Sequence, residues 1–449
     1  MTKKLVTLSL SACLSFMAIP SVSAATSSLT LESITKDVTY LASDELKGRA
    51  SFSPEIAQAA DYISQRFSAI GLQPLSSTTP DFQQSFDIYQ IIPSGLNIQL
   101  NNKKAADKNI AMASTQTAIT WRKSDIENGK VKSHIIGAQD NMRTVISALN
   151  KQGGQHLVLL NTQHAEMFAR YQAFFKRGIT KVELAHQGAI VIILTDETNI
   201  NALSVVAETT ISKKSLTNVV GVLPGKTKPN EIVLYSAHYD HLGTMAGEDS
   251  TSDKIYNGAD DDASGTSAVI NIAQYYASKG DNARTLMFAA FTAEEIGGFG
   301  SKYFSQQLDP KTITAMINIE MIGKPSKFGA GSVWMTGMER SNLGQLLNEN
   351  LKDKGIQIHQ DPYPEQGLFY RSDNATLARL GVPAHSFSST QLDKDQHYHK
   401  TSDDLASLDL NSMFKVIKSL AFGTQGLVDG SVTPSRIDPA KVDAKGLIY

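Results

Sequence analysis

Two repeating patterns of apolar residues run along the chain. Residues 232–235 form a short apolar block, which is typical of a strand buried in a sheet. Residues 266–278 place apolar side chains every three or four positions, which predicts a helix. The alternation continues, with strands predicted over 218–222, 284–292, 313–319, 333–336 and 382–387 and helices over 54–70, 301–308, 343–354 and 408–427. Strands that alternate with helices predict an α/β fold, a mostly parallel mixed sheet with helices on both faces.

The pattern changes over residues 96–214, where no cluster of catalytic residue types is found. Short strands are predicted there over 97–100, 133–136, 157–160 and 189–194, with a helix over 165–177 and a short helical turn over 181–187. We interpret 96–214 as a smaller inserted α+β accessory domain. The main domain is then formed by residues 25–95 and 215–449.

Residues 1–24 have the features of a secretory signal peptide. Lys3 and Lys4 give a positive start, residues 5–19 are largely apolar, and residues 22–24 (VSA) fit a cleavage site. The alternative is a lipoprotein box at residues 10–13, with a lipid anchor at Cys13, but the apolar run before Cys13 is short and continues past it. No later stretch reaches the ~20 apolar residues that span a bilayer. The sequence therefore predicts an exported protein, periplasmic or secreted, without a membrane span.

Composition and charge exclude several classes of function. The formal net charge is −2 over 449 residues, so the charge balance does not favour a nucleic-acid partner. The single cysteine, Cys13, lies in the predicted leader. The mature chain would therefore have no disulfide, no thiol nucleophile and no thiolate metal site. Histidines and carboxylates must hold any metal.

Such residues stand where the predicted strands end. They are His238 and Asp240, Glu294 and Glu295, and Glu320, joined by the loop acids Asp260, Asp261 and Asp262 and by a late pair, His397 and His399. The carboxyl ends of parallel strands meet at one edge of a sheet, where ligands bind. Imidazole and carboxylate ligands suit zinc, manganese or cobalt, of which zinc is the usual choice. The set is too large for one catalytic zinc and suits two metals ~3.5–4 Å apart, which could hydrolyse an amide with an activated water.

Five sequence blocks in this order resemble the M28 metallopeptidases, which are cocatalytic-zinc aminopeptidases and their relatives. The blocks are HYDHLG, YNGADDDASGTSAV, FTAEEIGGFGS, INIEMIG and DQHYHKTSDD. LASDELKGRA and AADYISQRFSAIGLQPL resemble the family's N-terminal entry, and KVELAHQGAIVIILTDE resembles a diverged protease-associated (PA) domain. The resemblance covers nearly all of the mature chain. It implies a zinc-exopeptidase-like fold with a PA-like insert, two zinc ions per chain, and peptide substrates with a free N-terminus.

The resemblance also implies a role for individual positions. One metal would be bound by Asp261, Glu295 and His399, and the other by Asp261, His238 and Glu320. Asp261 is the bridging ligand because it stands fourth in the Gly-x-x-Asp that begins at residue 258. The sequence departs from the family at Glu320, a position where aspartate is more common.

The remaining motif residues would act around the metals. Glu294 is implied to be the general base, and Asp240 to orient the imidazole of the first metal histidine. Tyr370 is a candidate hydrogen-bond donor to the developing oxyanion of the substrate. His241 and His397 stand beside candidate ligands and are predicted to support them or to face solvent. We therefore predict an exported aminopeptidase.

Three alternatives remain open on the same scaffold. A glutaminyl cyclase would need only the first of the two metal sites. A carboxypeptidase would need a basic pocket for the substrate carboxylate, for which Arg371 is the only candidate near the motifs. An inactive receptor-like module would be expected to have lost ligands, whereas every ligand position here holds a competent residue. Asn374, where relatives commonly have histidine after Ser-Asp, concerns the substrate pocket and not the metals.

Overall fold

The computed structural model describes residues 29–75, 81–245 and 253–449. The predicted leader, residues 1–24, and the alternative anchor at Cys13 lie outside the described residues. In the described ranges, no helix combines the length and the hydropathy that crossing a bilayer requires.

Strands and helices alternate through most of the chain. The α-helices are α1 (Leu31–Leu41), α2 (Pro54–Ile70), α3 (Lys123–Glu127), α4 (Met142–Gln152), α5 (Ala165–Lys176), α6 (Gly265–Lys279), α7 (Phe299–Gln307), α8 (Leu343–Leu351), α9 (Asn374–Ala378), α10 (Leu410–Gly423) and α11 (Gln425–Val428). The strands are β1 (Gln73–Pro74), β2 (Gln83–Leu100), β3 (Lys103–Lys104), β4 (Ile110–Ser114), β5 (Ala118–Arg122), β6 (Lys132–Ile136), β7 (Gln155–Leu160), β8 (Ile179–Lys181), β9 (Ala189–Leu194), β10 (Leu203–Leu223), β11 (Lys228–His238), β12 (Gly243–Thr244), β13 (Ile255–Tyr256), β14 (Arg284–Phe291), β15 (Ile313–Ile319), β16 (Val333–Met335), β17 (Ile358–Gln360) and β18 (Ala384–Ser388).

The main sheet is mixed, with a parallel centre. Its strand order is β17-β16-β18-β15-β11-β14-β10-β2-β3. Strands β18, β15, β11 and β14 run parallel to one another, whereas β16 is antiparallel to β18 and β10 is antiparallel to both β14 and β2. The carboxyl ends of β11, β14 and β15 therefore lie along one edge. The predicted α/β class with a large mixed sheet is confirmed, and the parallel pairing lies at the centre of the sheet and between β16 and β17.

Both faces of this sheet are covered by helices. Side chains on successive strand residues point to opposite faces, so Tyr235 and Phe288 join the core that α1, α2, α6, α8 and α10 cover. Leu234 and Met287, their neighbours in sequence, join the core formed with α7 and α9. Because both faces are buried, the central strands read as continuous apolar runs, as the sequence indicated.

A second, smaller sheet lies within residues 110–194. Its order is β4-β9-β7-β6, and α4 and α5 pack against one face. The chain reaches this sheet from the main one along β2 and returns along β10, two long strands paired from Gln83–Val219 to Leu100–Leu203. The assignment of 96–214 as a PA-like domain stays a prediction.

The helical turn predicted over 181–187 is wrong. Residues 179–181 form β8, which pairs with β2, and the following residues up to β9 are loop. Pairing with β2 in the tertiary structure decides this segment, and not its local preference. The final helix predicted over 408–427 is divided into α10 and α11 at Thr424, whose hydroxyl donates to the Leu420 carbonyl.

Candidate metal centre

Several of the predicted site residues lie at or just after the carboxyl ends of three strands, at one edge of the main sheet. His238 is the last residue of β11, and Glu320 follows directly on β15. Glu294 and Glu295 lie in the turn after β14. Since β11 is the parallel neighbour of both β14 and β15, these side chains converge above the middle of the sheet.

The three carboxylates of the acidic loop before α6, those of Asp260, Asp261 and Asp262, make different contacts. Asp260 accepts hydrogen bonds from the Gly323 backbone at 2.7 Å and the Thr390 hydroxyl at 2.6 Å. Asp262 accepts from the backbone N–H groups of Gly265, at 3.0 Å, and Met321, at 3.1 Å. Their oxygens are thus used to hold the loop together. The carboxylate of Asp261, between them, instead faces two histidines.

Asp261 stands at the centre of the cluster. Its Oδ1 lies 3.1 Å from His238 Nε2, and its Oδ2 lies 3.2 Å from His399 Nε2. Glu320 Oε1 lies 3.6 Å from His238 Nε2, and Glu295 Oε2 lies 3.3 Å from His399 Nε2. These contacts bring the five predicted ligands into one cluster, in which His238, Asp261 and Glu295, and also His238, Asp262 and Glu320, have ligand atoms within 4.8 Å of one another.

These distances fit bound zinc. Ligand atoms ~2.0–2.1 Å from a tetrahedral zinc lie about 3.3–3.4 Å from one another. The observed separations between ligand atoms, 3.1–3.6 Å, are close to that edge length. His238 Nε2 is also buried without a hydrogen-bond partner in the structure, which is costly for a polar atom unless it binds something. The donor set and its spacing therefore suit bound zinc.

The charge state of Asp261 also suits a ligand. Burial acts to raise the pKa of its carboxyl, but the adjacent imidazoles of His238 and His399 hold the pKa well below its usual value. A metal binds only the deprotonated carboxylate, so no proton has to be displaced from Asp261 at neutral pH.

Asp240 supports the site differently from the predicted way. Its carboxylate lies 3.7 Å from His238 Nδ1, whereas its backbone carbonyl is 3.1 Å from that nitrogen. A proton on Nδ1 shared with this carbonyl leaves Nε2 free to bind metal. The carboxylate accepts hydrogen bonds from the backbone N–H groups of Glu294, at 3.0 Å, and Glu295, at 3.4 Å. Asp240 therefore ties the end of β11 to the turn that carries both glutamates.

The two adjacent glutamates have different surroundings. Glu295 Oε1 lies 2.7 Å from His241 Nδ1, which turns Oε2 of the same carboxylate toward His399. Within the described residues, no hydrogen bond or ion pair engages the carboxylate of Glu294. Burial raises the pKa of Glu294 well above its usual value, an effect that bound cations would oppose. One glutamate is thus fixed in the cluster and the other is free beside it.

His241 is buried and contacts the carboxylate of Glu295, which agrees with the predicted supporting role and not with the predicted exposure to solvent. His397 is half-buried, and its Nδ1 lies 3.1 Å from the Ser402 hydroxyl, outside the cluster.

The wall beside Glu320 is also ordered by hydrogen bonds. The Ser372 hydroxyl and the Asn318 amide donate to Glu320 Oε2, which leaves Oε1 toward His238. Asn374 is buried and donates to the Phe369 carbonyl at 3.1 Å, so it holds the wall from behind.

Tyr370 lies in the cleft, but its hydroxyl accepts a hydrogen bond of 3.4 Å from the Asp443 backbone N–H. Its predicted contact with an oxyanion stays a prediction.

A cation behind the loop, Lys324, was not predicted. Its Nζ lies 3.0 Å from Asp395, 3.4 Å from Asp260 and 3.5 Å from Asp403. Asp403 in turn accepts the backbone N–H of Asp261 at 3.1 Å. This network joins the acidic loop to the loop that carries the late histidines.

Arg49 is a second unpredicted support, and it is fully buried. Its guanidinium donates to the backbone carbonyls of Tyr239 at 2.8 Å, Asn257 at 2.6 Å and Gly258 at 3.0 Å. Burial lowers its pKa to about 10, so it stays charged at neutral pH, with the Asp240 carboxylate opposing the shift. Arg49 thus joins the end of β11 to the beginning of the acidic loop.

Replacing Arg49 with methionine should destabilise the protein by about 3–5 kcal/mol, because buried carbonyls and carboxylates lose their partner. The midpoint of thermal unfolding measures this. The control is Arg170→Met, which removes an exposed pair with Glu166 and should cost under about 1 kcal/mol. Equal melting temperatures for the two variants would contradict the role of Arg49.

Two cavities meet at the cluster. A mainly apolar pocket of about 50 Å³ opens beside Glu320 and is lined by Trp334, Leu368 and Leu392. A cleft of about 300 Å³, open to solvent, runs past Glu294 and His399 on the other side. The two share Arg371, Ser372 and Tyr398 as a common wall. A chain molecule could therefore extend through the site from one cavity into the other.

Comparison with known proteins places this site in context. Residues 218–422 match the model of peptidase family M28. Leucine aminopeptidase 1 of Neurospora crassa is 27% identical over 216 residues, which cover 46% of this chain and 52% of that protein. A vacuolar membrane protease of Schizosaccharomyces pombe is 29% identical over 268 residues, covering 58% of this chain and 29% of that one. The chain spans about half the length of the aminopeptidases that it matches.

Solved structures of similar fold are also found. An aminopeptidase from Aneurinibacillus sp. strain AM-1 superposes with a TM-score of 0.51 at 18% identity, covering 93% of this chain and 96% of that one. BSAP, a zinc aminopeptidase from Bacillus subtilis, superposes with a TM-score of 0.52 at 14% identity, covering 94% and 99%. At these identities the likeness shows the fold.

Proposed function

Residues 218–422 belong to peptidase family M28, and on that premise we propose that the chain is a zinc-dependent aminopeptidase. It would remove N-terminal residues from peptides with two zinc ions and a glutamate base. The observation that carries the proposal is the cluster of histidines and carboxylates around Asp261, in which neighbouring ligand atoms lie 3.1–3.6 Å apart. The leucine aminopeptidases among the relatives support the reaction class.

His238, Glu320 and Asp261 would hold one zinc, and Asp261, Glu295 and His399 the other. Zinc supplies two effects when bound, since it polarises a carbonyl and lowers the pKa of a water toward neutrality. Asp240 and His241 would keep the ligands in position through their contacts with the ring of His238 and the carboxylate of Glu295.

Glu294 would act as the general base. Its carboxylate lies free beside the cluster, so it can take a proton from the attacking water and pass it to the leaving amine. The raised pKa of Glu294 suits this second step, because a more basic carboxylate holds the transferred proton until the amine accepts it. No covalent bond between protein and substrate is needed.

The two cavities suggest how a peptide would lie. The free amino group would sit at Glu320, where the carboxylate keeps an oxygen directed into the site. The first side chain would then enter the pocket formed by Trp334, Leu368 and Leu392, which favours apolar residues. The rest of the peptide would leave through the cleft past Glu294. Export through the predicted leader is part of the proposal.

A substrate panel with metal analysis tests the function. We expect cleavage of the arylamides of leucine and phenylalanine, weaker cleavage of those of aspartate and lysine, and none of N-acetyl-leucine arylamide. Elemental analysis should give two zinc ions per chain, and a chelator should abolish turnover that added zinc restores. One zinc per chain together with cyclisation of N-terminal glutamine would favour the cyclase. Cleavage of the N-acetylated substrate would contradict an aminopeptidase.

A further inference from the structure

Four basic side chains lie at the open cleft and at a neighbouring cavity that also includes Lys445 in its lining. They come from distant parts of the sequence, namely Lys181 at the end of β8, Lys302 on α7, Arg379 after α9 and Lys445 in the C-terminal segment. Arg379 and Lys445 line the cleft itself, together with Glu294 and His399. The proposed reaction assigns no role to any of the four.

These cations are not neutralised by ion pairs. In the described part of the chain, none of the four lies within 4.0 Å of a carboxylate. Burial, together with the charges of Lys302 and Lys445, lowers the pKa of Lys181 to about 8. Burial and the charges of Arg379 and Lys302 also lower the pKa of Lys445. The cluster therefore carries uncompensated positive charge.

Their hydrogen bonds leave donors free. Lys445 Nζ donates to the Gly297 carbonyl at 3.2 Å, which uses one of its three protons. Arg379 Nε donates to the Asp443 carbonyl at 2.7 Å, which leaves the other N–H groups of its guanidinium without an acceptor among the described residues. Because Arg379 and Lys445 line the cleft, an anion bound there would be stabilised by their remaining donors.

The negative groups near the cluster do not fill this need. Glu294 and Asp373 oppose the lowering of the Lys445 pKa but make no ion pair with that side chain. Tyr370 and Asp443 act in the same way on Arg379, and Glu183 on Lys302. Glu294 would carry the catalytic proton.

We propose that Arg379 and Lys445 bind a carboxylate of the substrate on the leaving side of the scissile bond. This inference rests on the proposed function, because it assumes that the first residue of the substrate binds in the apolar pocket and the second in the cleft. In a dipeptide the terminal carboxylate lies within about 4 Å of the scissile nitrogen. An aspartate or glutamate at the second position of a longer peptide would also place a carboxylate there. The favoured substrates would thus be dipeptides or peptides with aspartate or glutamate second.

The test compares substrates that differ only in this charge. Leucyl-glycine is compared with leucyl-glycinamide, and leucyl-aspartamide with leucyl-asparaginamide, as ratios of kcat/KM. We expect one ratio, or both, to be about 5–10 in the wild type, the effect of a charge-assisted hydrogen bond. Lys445→Gln should bring that ratio close to one, mainly through KM.

Lys441→Gln is the matched control, since Lys441 lies in the same segment with an 81% exposed side chain. It should keep the wild-type ratio. A dipeptide ratio above one assigns the site to the chain terminus, and an aspartamide ratio above one assigns it to an acidic side chain. Ratios near one in the wild type, or a raised ratio that Lys445→Gln does not change, overturn the inference.

Two further measurements keep the test decisive. If Lys445→Gln fails to fold, the wild-type ratio is measured at rising salt, where screening must reduce it and a constant ratio overturns the inference. Leucine arylamide carries no carboxylate. If leucine arylamide is cleaved but the substrate pairs show no preference for a carboxylate, the proposed aminopeptidase activity is supported and only the carboxylate subsite is rejected. If no substrate is cleaved, the proposed function is rejected.

Discussion

Glu294→Gln should lower kcat for leucine arylamide by about 10²–10⁴-fold while the zinc content stays at the wild-type value. The amide has nearly the same size and cannot accept the proton of the attacking water. No hydrogen bond or ion pair of the Glu294 carboxylate is lost in the described residues, so folding and metal binding should be unaffected. Single-turnover kinetics and elemental analysis of the same preparation measure both quantities.

The adjacent residue provides the control. Glu295 Oε2 lies 3.3 Å from His399 Nε2, so Glu295→Gln should lose zinc as well as activity. The two variants differ by one position and carry the same chemical change. If Glu294→Gln keeps more than about a tenth of the wild-type kcat, Glu294 is not the base. If it loses zinc as Glu295→Gln does, it is a ligand.

The sequence could predict the centre of the fold and the cluster because both follow from local patterns. Apolar runs such as 284–292 belong to parallel strands that are buried on both faces. Polar residues that end such strands, among them His238 and Glu320, must then meet at one edge of the sheet. His399 follows no strand end directly, since β18 ends at Ser388, and only the resemblance pointed to it.

The supports and the substrate cleft could not be predicted in this way. Arg49 acts on backbone carbonyls about 190 and 209 residues away, and no spacing in the sequence reveals such a contact. The basic cluster combines residues from four distant segments, of which Lys445 lies in a C-terminal segment without regular pattern. Arg371, the one cation near the motifs, proves to be only part of the wall between the two cavities.

Local patterns also failed where tertiary pairing decides the structure. The predicted turn over 181–187 lies beside β2, whose unpaired edge at residues 89–91 takes up β8 as a neighbour. An isolated segment gives no sign of such a partner. Three strands of the small sheet, β6, β7 and β9, were predicted from local pattern, whereas β4 was not, and the strand predicted over 97–100 is part of β2 in the main sheet.

Asp261→Ala should remove both zinc ions and reduce turnover to background. Asp261 is the only one of the five predicted ligands that faces both histidines, with Oδ1 3.1 Å from His238 and Oδ2 3.2 Å from His399. Each remaining group would keep two protein ligands, fewer than the three of an ordinary catalytic zinc. Loss of a ligand that contacts only one ion, as in His399→Ala, should weaken the binding of one zinc ion more than that of the other.

The control for this prediction is His397→Ala, on the same loop as His399 but outside the cluster. Its Nδ1 contacts the Ser402 hydroxyl at 3.1 Å, so the variant should keep two zinc ions and most activity. Zinc per chain is measured after dialysis, with circular dichroism to verify folding. One zinc retained by folded Asp261→Ala would mean that the ligand groups are independent and that Asp261 does not bridge them. Because a shared carboxylate makes the two ions depend on each other, their joint loss distinguishes a two-metal site from two separate ones.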